Sequence, residues 1–319
     1  MTRVLLLGGT AEGRALAKEL HPHVEIVSSL AGRVPNPALP IGPVRIGGFG
    51  GVEGLRGWLR EERIDAVVDA THPFAVTITA HAAQVCGELG LPYLVLARPP
   101  WDPGTAIIAV SDIEAADVVA EQGYSRVFLT TGRSGIAAFA NSDAWFLIRV
   151  VTAPDGTALP RRHKLVLSRG PYGYHDEFAL LREQRIDALV TKNSGGKMTR
   201  AKLDAAAALG ISVVMIARPL LPAGVAAVDS VHRAAMWVGG LPSRGGRRAP
   251  RRQAAHRALE RHGIGWCPPG SRTPPRRPHR TARAAGSAAA LPVGRWLGRR
   301  SSWLPRRGLR IRGHGGRRL

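Results

Sequence analysis

Cysteine is scarce in this chain, which has only Cys86 and Cys267 among 319 residues. Two cysteines cannot build the disulfide framework of a small secreted protein, and Cys86 lies within an apolar helical pattern. A run of about 18 apolar residues, the length that a membrane span needs, is also missing. The apolar start of the chain is too short for the core of a signal peptide and resembles a first strand. We therefore expect a soluble cytoplasmic protein that does not associate with membranes.

Aromatic residues make up only 5% of the chain, which disfavours the base-stacking surfaces of single-strand nucleic-acid binders. Several catalytic signatures are absent as well. The sequence has no G-x-S-x-G, no G-x-x-x-x-G-K-[ST], no Tyr-x-x-x-Lys pair and no Cys/His cluster with metal-ligand spacing. We expect no bound metal.

Acidic residues are almost missing from the tail, residues 244–319. This tail holds 21 of the 45 basic residues, all of them arginine, and only Glu260 among the 23 acidic ones. It therefore carries nearly all of the net charge of +22. Its Arg-, Pro-, Gly- and Ala-rich composition lacks a hydrophobic period, which predicts disorder. The tail is either an arginine-rich arm for an anionic partner or the product of a shifted reading frame in a GC-rich gene. We favour the second origin, so nucleic-acid binding is not expected.

The remaining body, residues 1–243, alternates strand-like and helix-like segments. RVLLLGG (3–9) is a continuous apolar run of the kind found in strands buried on both faces of a parallel sheet. TAEGRALAKEL (10–20) follows as a helix for which Thr10 is the predicted N-cap. Further strands and helices alternate after it, which predicts an α/β fold with parallel sheets.

The body also repeats itself with an offset of about 120 residues. LREERIDAVV (59–68) returns as LREQRIDALV (181–190), and the segments 4–17, 24–32 and 89–99 return in the same order at 127–140, 145–153 and 209–219. We therefore expect an internal duplication that gives two similar Rossmann-like lobes, 1–98 and 99–243. The second lobe is expected to end with a helix at 229–238.

Ligands of open parallel sheets bind at the carboxyl ends of the strands, so the loops that follow each strand are the candidate site. The first such loop, GGTAEGR (8–14), combines close backbone approach with a helix start, which suits a phosphate. A plain tight turn is the alternative, because the spacing differs from the dinucleotide fingerprint G-x-G-x-x-G. The equivalent loop of the second lobe, TTGRSG (130–135), could serve a phosphate or a carboxylate.

The second strand ends in SSLAGR (28–33), where a site for NAD would place an acidic residue near the ribose. Ser28, Ser29 and Arg33 stand there instead, and this set suits a 2′-phosphate. An ordinary surface role for Arg33 is the alternative.

Two loops that follow the repeated strand differ between the lobes. DATHPFA (69–75) places His72 after Thr71, either as a proton donor, as a cofactor contact or as a structural histidine. TKNSGGKMT (191–199) offers Lys192, Asn193 and Ser194. We interpret Lys202, which follows on the next helix, as part of a solvated charged face. Arg98 and Arg218 occupy equivalent positions, each in an Ala-Arg-Pro segment that ends a strand.

Together LLLGGTAEGRALA, SSLAGR, DATHPFA, TKNSGG and the closing ARP resemble the precorrin-6A reductase family, over about residues 1–243. The resemblance implies two Rossmann-like lobes and an NADPH-dependent hydride transfer to a polycarboxylated tetrapyrrole of cobalamin biosynthesis. A cobalt-containing form of this substrate, or a non-catalytic NADP- or metabolite-binding role, are the alternatives. The tail has no counterpart in that family.

The resemblance also implies roles for individual residues. His72 and Lys192 are the candidate catalytic residues. The cofactor would contact Gly8, Gly9, Thr10, Ala11, Glu12, Ser28, Ser29, Arg33 and Thr71. The carboxylates of the substrate would meet Arg98, Arg133, Lys192, Asn193, Ser194 and Arg218.

Overall fold

The computed structural model describes residues 1–32 and 36–242. Arg33 and the tail 244–319, with its predicted disorder and charge, lie outside the described residues. The strands are β1 (Arg3–Leu7), β2 (Glu25–Leu30), β3 (Val44–Ile46), β4 (Ala66–Asp69), β5 (Tyr93–Leu96), β6 (Ile107–Ala109), β7 (Arg126–Leu129), β8 (Trp145–Val150), β9 (Arg162–Leu167), β10 (Ala188–Lys192), β11 (Ser212–Ile216) and β12 (Ala226–Val228). The helices are α1 (Ala11–Leu20), α2 (Gly51–Glu61), α3 (Val76–Leu89), α4 (Asp112–Glu121), α5 (Tyr174–Glu183), α6 (Ala201–Ala208) and α7 (Val231–Gly239), with a 3-10 helix at Arg133–Phe139.

The strands form two six-stranded parallel sheets, with the orders β12-β5-β4-β1-β2-β3 and β6-β11-β10-β7-β8-β9. When β1–β6 are matched in order to β7–β12, the two sheets have the same strand order. The predicted α/β fold of two Rossmann-like lobes related by an internal duplication is therefore confirmed.

The sixth strand of each sheet comes from the other repeat. The β6 strand, which closes the first repeat, pairs with β11, and β12, which closes the second repeat, pairs with β5. The helix that follows each exchanged strand also packs on the other repeat. α4, which follows β6, packs against β11, and α7, which follows β12, packs against α1. The expectation that the helix at 229–238 closes the second lobe is therefore wrong. β6 and β12 have only three residues each, too short a pattern to reveal which sheet they join.

Each lobe has a core on both faces of its sheet, as a doubly wound fold requires. In β1, the side chains of Leu5 and Leu7 pack with α2 and α3, while those of Val4 and Leu6 pack with α1 and α7. This alternation explains why the strand is apolar at every position. The predicted helix cap is also confirmed, since the Thr10 hydroxyl accepts a hydrogen bond from the Gly13 N–H at 3.1 Å.

Within residues 1–32 and 36–242, no helix is both long enough and apolar enough to span a membrane.

Candidate active site

The glycine loop after β1 leaves open space at the start of α1. Gly9 has a φ of +116°, a left-handed conformation that favours glycine, and no atom lies within 4 Å of the position of a Cβ. Ala11 and Glu12 form the first turn of α1, whose N–H groups suit an anion. The Thr10 hydroxyl, in contrast, is already engaged, since it donates to the Ala70 carbonyl at 2.7 Å.

The end of β2 lies directly beside this loop, because the Gly8 N–H donates to the Ser29 carbonyl at 2.9 Å. Ser28 is fully buried, and its Oγ has no hydrogen-bond partner among the described residues. The structure therefore brings Gly8, Gly9, Ser28 and Ser29 together at the carboxyl ends of β1 and β2.

A buried carboxylate organises the loop that carries His72. Asp69 ends β4 and accepts hydrogen bonds from the Thr71 N–H at 2.9 Å and the Thr79 hydroxyl at 2.7 Å. The Tyr93 hydroxyl donates to the same carboxylate at 3.0 Å. Sequence reasoning did not single out Asp69, although its place at the end of a buried strand was a usable signal.

His72 meets its counterpart from the other repeat. Its Nε2 lies 3.1 Å from the Ser194 Oγ, and the two residues are 122 positions apart, which is the offset of the duplication. The Phe74 N–H donates to His72 Nδ1 at 3.3 Å. A neutral ring that accepts at Nδ1 carries its proton on Nε2, so His72 donates to Ser194 and leaves the serine hydroxyl proton free for a ligand.

The surroundings of His72 disfavour its charged form. Part of the side chain is exposed, yet the protein around the ring desolvates the imidazolium and lowers the pKa of His72 to about 4. The positive charges that add to this effect are, in decreasing order, Arg98, Lys192, Arg218 and Lys202. His72 is therefore neutral near pH 7.

We expect the ring of His72 to titrate with a midpoint near 4 in an NMR pH titration, and Lys192→Met to raise this midpoint by removing a nearby positive charge. An ordinary midpoint near 6.5 would contradict the desolvated setting. Because the unfolded state binds the proton more readily, His72 should also lower stability as the pH falls from about 6.5 to about 4.

Lys192 is buried at the end of β10, with 9% of its surface exposed. Its Nζ lies 3.2 Å from Asp112 Oδ2, at the start of α4, and 5.4 Å from the centre of the Phe74 ring in the first lobe. Lys192 therefore lies at the junction of the lobes with its charge balanced by a carboxylate. Asp112 was not predicted, because it reaches the site through the exchanged β6–α4 unit.

The glycine loop of the second lobe lies beside this ion pair. Thr131 is buried and its Oγ1 has no hydrogen-bond partner among the described residues, as is also true of Asp112 Oδ1. Arg133 begins the 3-10 helix that follows and is half-buried.

Two chain segments cross between the lobes: residues 97–106, the first crossing segment, link β5 to β6, and residues 217–225, the second, link β11 to β12. Arg98 and Arg218 hold these segments in place. Arg98 pairs with Glu12 at 2.9 Å and donates to the Ser194 carbonyl at 2.7 Å. Arg218 donates to four carbonyls, those of Arg98, Pro99, Asn193 and Ser194, at 2.7–3.2 Å. Both arginines contribute positive charge to the site, but the donors of Arg218 are largely used within the protein.

The TKNSGG loop is bound tightly to the first crossing segment. The Asn193 side chain accepts from the Trp101 N–H at 2.8 Å and donates to the Trp101 carbonyl at 3.0 Å. Gly195, at a φ of +67°, has room only for a hydrogen, since a Cβ would lie 2.1 Å from the Pro99 carbonyl oxygen. Asn193 therefore has a structural role that the sequence did not indicate.

The interpretation of Lys202 as part of a solvated face is wrong. Only 8% of its surface is exposed, and its Nζ lies 5.5 Å from the centre of the Trp101 ring. A buried pair lies nearby, in which Arg149 of β8 and Glu177 of α5 form two hydrogen bonds. Charged residues on a helix normally face solvent, so the sequence alone predicted an exposed Lys202.

The described residues contain no group of three or more His, Cys, Asp or Glu side chains that could hold a metal ion. What converges at the lobe junction is a neutral histidine, a serine and several cations, next to an open glycine loop. Fold and site together define a two-lobed Rossmann-like protein suited to anionic ligands.

Comparison with known proteins narrows this class. The family model described as precorrin-6x reductase CbiJ/CobK matches residues 3–239, so the chain belongs to that family, and the reductase class that the resemblance implied is confirmed. The precorrin-6A reductase of Rhodococcus erythropolis is 54% identical over 250 residues, which cover 76% of this chain and 100% of that protein. The enzyme of the same name from Rhodobacter capsulatus is 40% identical over 227 residues, 70% of this chain and 90% of that protein. A solved structure of CobK precorrin-6A reductase is 37% identical, with a TM-score of 0.69, over 75% of this chain and 96% of that one.

Proposed function

We propose that this chain reduces precorrin-6A with NADPH to precorrin-6B, a step of cobalamin biosynthesis in the cytoplasm. The observation that carries the proposal is the junction at His72 and Ser194, where Arg98 and Arg218 both donate to the Ser194 carbonyl and Arg98 also pairs with Glu12, which follows the open glycine loop. Such a junction suits two anionic ligands, a nucleotide and a polycarboxylated tetrapyrrole. The names of the two relatives that are 54% and 40% identical support the cobalt-free substrate.

The first lobe, including β12 and α7, is the proposed cofactor side. The free volume over Gly9 and the helix start at Ala11 fit a pyrophosphate, and the unpartnered Ser28 Oγ at the end of β2 fits a polar ligand nearby. Arg33 is the proposed contact of the 2′-phosphate. Glu12 would stand close to the phosphates, and its ion pair with Arg98 reduces the repulsion.

When bound, NADPH supplies the hydride, so the protein needs only to bind, orient and provide a proton route. Neutral His72 cannot act as an imidazolium acid near pH 7, and it instead holds the Ser194 oxygen through Nε2–H. The Ser194 hydroxyl is therefore free to donate a hydrogen bond to the substrate. Lys192, held by Asp112, provides positive charge at the same place.

The second lobe, from the first crossing segment to β11, is the proposed substrate side. Lys192, Asn193 and Ser194 come from its β10 loop, and Arg133 from its glycine loop. Because Arg218 is occupied by backbone carbonyls, we assign it the role of holding the junction and contributing charge.

The test is NADPH oxidation by the full chain with precorrin-6A, with and without cobalt. We expect turnover with the cobalt-free substrate and a clear preference for NADPH over NADH, which Arg33→Ala should abolish. Equal use of NADH, or cofactor binding with no reaction, would instead favour a nucleotide-binding protein without this activity.

Gly9→Ala is expected to raise the Kd of NADPH by about tenfold or more, because a methyl group would enter the space where the pyrophosphate is proposed. Gly42→Ala is the matched control. Gly42 also has a positive φ, +90°, but it lies before β3, at the amino ends of the strands and away from the proposed cofactor site. Equal effects of the two substitutions on the Kd would show only backbone strain.

A further inference from the structure

Asp69 is a buried carboxylate whose hydrogen-bond partners in the described part of the chain are all neutral. It is 1% exposed, and its Oδ1 accepts from the Thr71 N–H at 2.9 Å. Its Oδ2 accepts from the Thr79 and Tyr93 hydroxyls at 2.7 and 3.0 Å. Burial of a carboxylate costs free energy that neutral donors offset only in part, and a neutral side chain avoids this cost. The residue type therefore points to a role beyond packing.

The second repeat shows that the strand itself does not need this carboxylate. With the offset of 122 residues, Asp69 corresponds to Thr191, which is fully buried in β10. The loop after β10 is held in another way, by the side chain of Asn193 on the backbone of Trp101. A neutral residue can therefore end the strand, and the carboxylate of the first lobe serves the loop that follows it.

The hydrogen bonds of Asp69 lead directly to His72. Thr71, whose N–H is held by Asp69, is the residue before His72. After the histidine, the Ala75 N–H donates to the His72 carbonyl at 2.7 Å. The imidazole thus belongs to a short loop that is fixed on both sides, and its Nε2 lies 3.1 Å from the Ser194 Oγ of the other lobe.

We propose that Asp69 is a positioning residue of the active site, which holds the His72 ring against Ser194 through the Thr71 N–H. The benefit to the reaction rests on the proposed function, whereas the placement of the ring follows from the hydrogen bonds alone. Asp69 acts at a distance, because it is buried behind the loop and is held by hydroxyls from α3 and β5.

Asp69→Val tests the role in catalysis. Valine has the shape of the threonine that ends β10, but it offers the Thr71 N–H no acceptor. We expect kcat with precorrin-6A to fall by about 10- to 100-fold, the usual effect of displacing an active-site group by about 1 Å. The KM of precorrin-6A and the Kd of NADPH should change by less than about threefold, because neither ligand is expected to touch Asp69.

Tyr93→Phe is the matched control. It removes a donor from the same carboxylate but leaves the bond from Asp69 to the Thr71 N–H. This variant should lower Tm, as the loss of a buried hydrogen bond does, and keep kcat close to that of wild type. An equal loss of kcat in Asp69→Val and Tyr93→Phe would show that the network only stabilises the lobe, and would overturn the proposal.

Two NMR measurements on the full chain report the position of the loop without a ligand. Hydrogen exchange of the Thr71 amide should be slow in wild type and in Tyr93→Phe, and fast in Asp69→Val. The ring of His72 should titrate near 4 in wild type and closer to 6.5 in Asp69→Val, because it leaves the desolvated junction. The cations that face the ring are the same in all these proteins: Arg98, Lys192, Arg218 and Lys202.

Asp69→Asn keeps the test decisive if the valine variant does not fold. Asparagine has one acceptor oxygen for the three donors, and exchange of the Thr71 amide shows which donor it serves. If this exchange becomes fast, kcat must fall and the His72 midpoint must rise; wild-type values of both overturn the proposal. If the exchange stays slow, kcat must stay near wild type, and a large loss contradicts the proposal.

The two proposals fail in different ways. If wild type does not reduce precorrin-6A but the His72 midpoint moves in Asp69→Val, the proposed function fails and the placement of the ring by Asp69 stands. If wild type reduces precorrin-6A and Asp69→Val has the same kcat and the same midpoint, the proposed function stands and the positioning role fails.

Discussion

Glu177→Gln is expected to lower the free energy of unfolding by about 3–5 kcal/mol, because it leaves Arg149 as a buried charge without a partner. Glu177 is 1% exposed, and Arg149 lies between the rings of Tyr172 and Phe128, 3.7 and 4.7 Å from their centres. This packing prevents the guanidinium from turning toward water. Urea unfolding of the full chain, followed by circular dichroism, measures the effect.

Two variants make this result specific. Glu183→Gln removes an exposed carboxylate from the same helix and should change stability by less than about 0.5 kcal/mol. Replacing Arg149 and Glu177 together by methionine should recover most of the loss, since an apolar pair leaves no unpaired charge. A Glu177→Gln protein as stable as the Glu183→Gln control would show that the pair contributes nothing.

Lys192→Met is expected to reduce kcat with precorrin-6A by about 100- to 1000-fold, the usual cost of removing a preorganised charge from a reacting centre. The Kd of NADPH should stay nearly unchanged, because the proposed cofactor contacts belong to the first lobe. Single-turnover loss of NADPH absorbance at saturating substrate isolates the chemical step.

Asp112→Asn tests how Lys192 is held, and should cause a smaller loss of kcat in the same direction. Asp117→Asn, an exposed position of the same helix, is its control. If kcat of the Lys192→Met protein were within threefold of wild type, Lys192 would have no part in the reaction.

The sequence predicted what depends on local pattern. The apolar run of β1, the Thr10 cap and the repeated strand β4/β10 each reflect constraints that act within one segment, and all three appear where they were expected. The duplication was visible for the same reason, since equal segments pack in equal ways.

What the sequence did not reveal depends on partners distant in the chain. Arg218 looked available for a ligand, but its donors are used by carbonyls up to 120 residues away. Lys202 looked exposed, because a helix pattern does not tell whether a neighbouring loop covers one of its faces. Asp112 could not be connected with Lys192 before β6 was known to join the second sheet.

The exchange of β6 and β12 bears on how such a molecule arose. A single repeat, β1–β6 with its helices, would have a sheet lacking its edge strand and a surplus strand that fits no sheet of its own. Two identical copies could each complete the sheet of the other by exchanging this last strand and its helix, which would give a symmetric domain-swapped dimer. Joining the copies end to end would give the present topology without any new contact. The meeting of His72 and Ser194 would then mark the former two-fold axis, where identical residues once faced each other and have since diverged.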